Sequence, residues 1–173
     1  MTNVYRGGVS HAEDWVLLSY RLPREPSTVR VGVWRKLKRL GVVQVLDGLV
    51  ALPADPRTRE QLEWIAHEVL EAKGEAAVWL ARPVSRAQER AFAKQMTETV
   101  TSDYLGVITE ARDAQHLDNV ARARTVARLR RELARIRPRD FFPPPDRERA
   151  ERAVEKLAAS TGSKPTKRAG SRS

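Results

Sequence analysis

The chain has 173 residues and no cysteine, which excludes disulfide scaffolds and thiolate metal sites. At 41% hydrophobic residues it can bury one modest core. Its net charge of +10 is unevenly placed: residues 1–110 hold 15 Lys and Arg against 14 Asp and Glu, whereas residues 111–173 hold 17 against 8.

The opening MTNVYRGGVSHAED has no apolar run of the kind a signal peptide carries. GVVQVLDGLVALPA is too short to span a bilayer and holds Asp47 in its middle. These features lead us to expect a soluble, cytoplasmic protein with no membrane partner. WVLLSYRLP, residues 15–23, is rich in β-formers and stops at a proline, so it predicts a buried first strand. Ser27 or Thr28 can cap the helix that follows. Val29, Val33, Trp34, Leu37 and Leu40 line one side of that helix, and Gly41 ends it. Arg35, Lys36, Lys38 and Arg39 lie on the other side.

In VVQVLDGLVALP, residues 42–53, two apolar runs flank Asp47-Gly48. That pair predicts a hairpin with a type I′ turn. Asp55-Pro56 opens a second helix with the stripe Leu62, Ile65, Ala66 and Val69, closed by Lys73-Gly74. EAAVWLARPV, residues 75–84, reads as a fourth strand. The order β-α-β-β-α-β predicts an α+β fold: a ferredoxin-like antiparallel sheet over residues 14–84 with both helices on one face.

Residues 85–159 read as a basic helical extension. Ser85 and Gln88 fit a capping box for a helix reaching about Thr101, and Asp103 can cap the next. Val126, Leu129, Leu133 and Ile136 recur at helical spacing, an apolar row suited to docking on the sheet domain. Pro138 stops that helix, Phe141 and Phe142 can pin the chain beyond it, and a short helix covers residues 147–159. The tail, residues 160–173, has nothing to bury and is expected to be disordered.

No catalytic constellation stands out. His11, His67 and His116 are far apart, and Glu63 with His67 reads as a solvent-facing pair sooner than a metal site. There is no phosphate-binding loop, no nucleophile elbow and no cofactor motif. A metal-dependent nuclease needs a carboxylate at the end of the first strand, where this chain has Ser19-Tyr20-Arg21. We therefore expect no catalytic residue, no metal and no cofactor. Trp15, Trp34, Trp64 and Trp79 fall one per element, as core packing would use them.

The basic third suggests an anionic partner, although a solvated surface has the same composition. Arg124, Arg128, Arg131 and Arg135 follow spacings of four, three and four, which makes a contiguous stripe on one helix face. If all four met DNA phosphates, log affinity would fall with log salt at a slope of about −3.6. A second reading is a module without DNA contact that binds a partner or senses an oxyanion, the anion held between Arg21, Arg35 and Arg39 or at a helix N-terminus.

The ordered set DWVLLSYRLPREPSTVRVGVWRKLKRLGVVQVLDGLVALP, AAVWLARPV and RLRRELARIRPRDFF resembles the N-terminal region of the ChrB family of chromate-resistance proteins. PaaX-type repressors are similar to a lesser degree, through their central domain. The resemblance implies a regulator of chromate efflux that associates with DNA. It supplies no residue-level chromate site. The match is to the family's N-terminal part, and a separately encoded chain carrying the family's C-terminal domain is one candidate partner, beside DNA and chromate or another oxyanion.

Overall fold

A computed structural model describes residues 14–161. The chain runs β1 (Trp15–Arg21), α1 (Ser27–Leu40), β2 (Val43–Leu46), β3 (Leu49–Pro53), α2 (Pro56–Glu71), β4 (Glu75–Ala81), α3 (Arg86–Asp113), α4 (Asn119–Ile136) and α5 (Asp146–Thr161). Short 3-10 turns at Ala114–His116 and Arg137–Arg139 follow α3 and α4. No helix among the described residues is long and apolar enough to cross a membrane.

Two compact units emerge. Among the described residues, the first holds residues 14–100 together with Pro138–Pro143; the second holds Thr101–Arg137 and residues 144–161. The boundary thus falls inside α3.

The first unit is built on a four-stranded antiparallel sheet of order β2-β3-β1-β4. Side chains alternate across a strand. Val16 and Leu18 therefore share a face with Leu52 and Val50, their partners on β3. These four join Val33 and Leu37 of α1 and Leu62, Ile65 and Val69 of α2 in one buried core. Trp15, out of phase with Val16, is fully buried against Phe92 of α3, edge-on at 5.2 Å, and Phe142, stacked at 6.3 Å. The segment after α4 is held to this unit by further contacts. Arg57 Nη2 donates to the Pro138 carbonyl at 3.1 Å, and the Arg57 guanidinium sits 5.9 Å from the Phe141 ring. Thr97 Oγ1 donates to the Phe142 carbonyl at 3.3 Å. The pinning expected of Phe141 and Phe142 is thus observed.

Local signals behave unevenly. Asp55 caps α2 as expected: its carboxylate accepts from Thr58 N at 2.7 Å, the Thr58 hydroxyl accepts from Asp55 N at 3.0 Å, and Pro56 takes the first turn. Gly41 ends α1 with φ 77°, and a Cβ there would lie 2.6 Å from Arg139 Cβ, so only glycine fits. Neither Ser27 nor Thr28 caps α1; Pro26 stands at that position and no side chain bonds the first turn. The hairpin forms, but not with a type I′ turn. Only Gly48 has positive φ, 74°, and a register shift between Gln44 and Leu46 absorbs the mismatch.

Burial also corrects the tryptophan reading. Trp64 and Trp79 are 69% and 57% exposed. Trp64 lies off the Leu62–Ile65–Val69 stripe of α2, and Trp79 lies on edge strand β4, where its Nε1 donates to Ser19 Oγ at 3.0 Å. Leu17, Val45 and Val78 are half-buried rather than central to the core.

The second unit is helical. α3 continues through Thr101-Ser102-Asp103 without a break, so Asp103 is not a cap. The break comes at 114–118, and Asp118 caps α4 by accepting from Val120 N at 2.9 Å and Ala121 N at 3.0 Å. Val126, Leu129, Leu133 and Ile136 are buried, as their spacing requires, but they are not members of the sheet's core. α4 packs instead on α5, whose Ala150, Val154 and Leu157 present a matching buried stripe. Tyr104, Val107 and Ala111 of α3 are buried in this unit as well. The expected tail lies mostly outside the described residues.

Candidate nucleic-acid interface

Helix α4 carries six arginines and a single acid, Glu132. Because its buried row recurs every three or four residues, the arginines between those positions are driven outward. Arg124, Arg128, Arg131 and Arg135 are all exposed.

Two of the four have acidic partners. Arg128 forms a two-pronged pair with Glu110 of α3, and Arg135 pairs with Glu132 one turn back. Arg124 and Arg131 make no ion pair among the described residues. Neighbouring arginines are also engaged. Arg130 meets Glu155 at 3.0 Å and Arg137 meets Glu151 at 2.9 Å, both acids on α5. Arg122 donates to the carbonyls of Leu117 at 2.7 Å, Ser160 at 2.8 Å and Gln115 at 3.0 Å, closing the turn before α4 and the end of α5. Its role is to satisfy exposed helix-end carbonyls.

The cap carboxylate of Asp118 is held below the usual aspartate range, first by the N–H groups of Ala121 and Val120, then by the nearby charges of Arg124 and Arg122. These pairs are exposed and screened, so each could exchange its carboxylate for a phosphate at small cost.

The oxyanion set is not gathered into one pocket. Arg21, at the end of β1, pairs with Glu75 at 2.6 Å, which raises its pKa further above the ordinary arginine value. It borders a depression with Leu22, Pro23, Lys73 and Gly74. Arg39 borders a different depression, with Lys36, Leu40, Gln61, Trp64 and Ile65. Arg35 lies one turn before Arg39 on α1 and lines neither. Glu63 pairs with Arg59 at 2.8 Å, and His67 faces Glu71 at 4.0 Å, so those two do not form a site together. No group of metal-ligating side chains clusters among the described residues.

Reading the sequence alone missed the acids that answer α4. Glu110, Glu151 and Glu155 are 14 to 25 residues away in the chain from the arginines they hold. No spacing rule within one helix reports them.

Comparison with known proteins closes the question of kinship. Residues 30–126 match the family model described as Protein ChrB, N-terminal. Over 143 residues the chain is 32% identical to Protein ChrB of Cupriavidus metallidurans, covering 79% of this chain and 43% of that protein. It thus spans less than half the length of this curated relative. The chain belongs to the ChrB family, and the match lies in that family's N-terminal part.

Proposed function

We propose that the chain is a chromate-resistance regulatory protein that associates with duplex DNA in the cytoplasm, and that it acts by binding rather than catalysis. The observation that carries this reading is the exposed, regularly spaced arginine row Arg124, Arg128, Arg131 and Arg135 on one face of α4. Membership in the ChrB family supplies the link to chromate. The order of the elements and the strand order β2-β3-β1-β4, with each helical crossover passing over one intervening strand, support a ferredoxin-like arrangement for the sheet unit. Phosphate contacts fix position on DNA and do not read sequence.

The scattering of Arg21, Arg35 and Arg39 leaves the oxyanion reading without a gathered site, so it stands second. The test is fluorescence anisotropy on a duplex from upstream of the chromate transporter gene and on a shuffled duplex of equal length, with and without chromate. We expect tighter binding to the upstream duplex and weakening by chromate. Equal affinity for both duplexes would remove the regulatory reading. Absence of any binding at low salt would remove the DNA association itself.

A further inference from the structure

The near-neutral balance of residues 1–110 conceals a separation of charge. Helix α1 holds five of their 15 cations, Arg30, Arg35, Lys36, Lys38 and Arg39, and no acid. The rest of this region therefore carries ten cations against 14 acids. Like charges on adjacent turns repel, and a surface helix ordinarily interleaves acids to relieve this. Of the five, Lys36 is answered, by Glu68 at 2.6 Å. Arg35 and Arg39 form no ion pair among the described residues, and Lys38 rests 5.3 Å from the Trp34 ring.

The helix period fixes where these groups point. Val33 and Leu37 are fully buried and define the inner side of α1. At about 100° per residue, Arg35 lies opposite them, with Lys38 and Arg39 flanking it one turn on. All three are exposed. Placing Lys38 and Arg39 in the last turn suits the helix dipole, but that does not account for Arg35 or for the missing acids. Beside Arg39, the depression between α1 and α2 exposes Trp64, an apolar surface next to the cations.

We infer that Arg35, Lys38 and Arg39 form a second phosphate-contacting surface for duplex DNA, on the sheet unit. The inference rests on the proposed DNA association and adds a site that the arginine row does not include. A single small anion could meet one or two of these cations, whereas a repeating polyanion can answer all three at once. Trp64 would border the contact and pack against the sugar edge.

The test uses the full chain and a labelled duplex of random sequence, titrated with salt. The variant Arg35→Gln/Lys38→Gln/Arg39→Gln should flatten the log–log salt slope by about 2.7, at about 0.9 per lost contact. Arg35→Gln alone leaves the last turn of α1 intact and should flatten it by about 0.9. Arg35→Lys/Arg39→Lys should keep the wild-type slope. Trp64→Ala should weaken binding without altering the slope, since it carries no charge. Wild-type binding with an unchanged slope in folded triple and single variants overturns this inference and leaves the proposed function standing. Loss of affinity for polyglutamate with DNA binding unaltered also overturns it, by assigning the face to an acidic protein. No wild-type binding to any duplex would overturn both.

Discussion

Helices α1 and α4 have similar compositions and opposite electrostatic situations. α4 has six arginines, yet four of them are engaged: Arg128 and Arg130 by acids of α3 and α5, Arg135 by Glu132, and Arg122 by backbone carbonyls. α1 has five cations, of which only Lys36 has an acidic partner among the described residues. A count of basic residues ranks α4 first. A count of unanswered charge ranks α1 first, because a matched pair contributes little field at a distance and an unmatched one contributes all of it. The lesson is that net charge by segment locates basic sequence, while the acids brought in by the fold decide where an anion is attracted.

The contrast extends to what holds each unit, and substitutions can probe it. The largest effect is expected at Trp15, fully buried between Phe92 and Phe142. Trp15→Ala should cost about 3–5 kcal/mol in urea unfolding, by loss of transfer energy and a cavity. A cost of under about 1 kcal/mol would mean that this aromatic group does not anchor the sheet unit. Gly41→Ala comes next. The left-handed backbone at φ 77° penalises any Cβ by about 1–2 kcal/mol, and the contact with Arg139 Cβ adds to that. A stability equal to wild type would show that the chain at Arg139 moves freely away from α1.

On the helical side the effects should be smaller. Arg128→Gln breaks an exposed pair with Glu110 and should cost about 0–1 kcal/mol in thermal unfolding, shrinking further in high salt. A large, salt-insensitive loss would contradict the picture of a loosely committed, exchangeable pair. The smallest change is expected from Asp118→Asn, which retains an oxygen acceptor for the cap. The Asp118 pKa is lowered in the folded chain, so its charge stabilises α4 above the unfolded value. That contribution is lost as pH falls through the folded value. Wild type should therefore be the more stable protein at neutral pH, and the gap should close on acidification. A gap that widens in acid would have the wrong sign.

Much of the sheet unit was legible because its signals are local. Asp55-Pro56, Gly41 and the apolar runs around Asp47-Gly48 each act within a few residues, and each marks an observed boundary. The turn type failed because a register shift in β2 substitutes for a second left-handed residue. The helical unit was less legible. Thr101-Ser102-Asp103 looks like a helix start, but tertiary packing of Val100, Tyr104 and Val107 carries α3 straight through. The burial of Leu129 and Leu133 followed from periodicity, but their partner on α5 did not, since an apolar stripe does not name what covers it. For the candidate interface, exposure of the arginine row was readable from spacing, whereas its neutralisation was not. The bare charge of α1 was visible in STVRVGVWRKLKRL, which contains no acid. It became informative once the structure showed that Glu68 reaches Lys36 and that the other four cations form no ion pair among the described residues.

The most direct measurement sets the two helices against each other on one random-sequence duplex. Salt slopes are compared for wild type, for Arg35→Gln/Lys38→Gln/Arg39→Gln, and for glutamine at Arg124, Arg128, Arg131 and Arg135. Matched charge predicts a loss of about 2.7 in slope from α1 and only about 1.8 from α4, where Arg124 and Arg131 are the row members without an ion pair among the described residues. A loss of about 3.6 from α4 with none from α1 would contradict the account and return the interface to the arginine row alone.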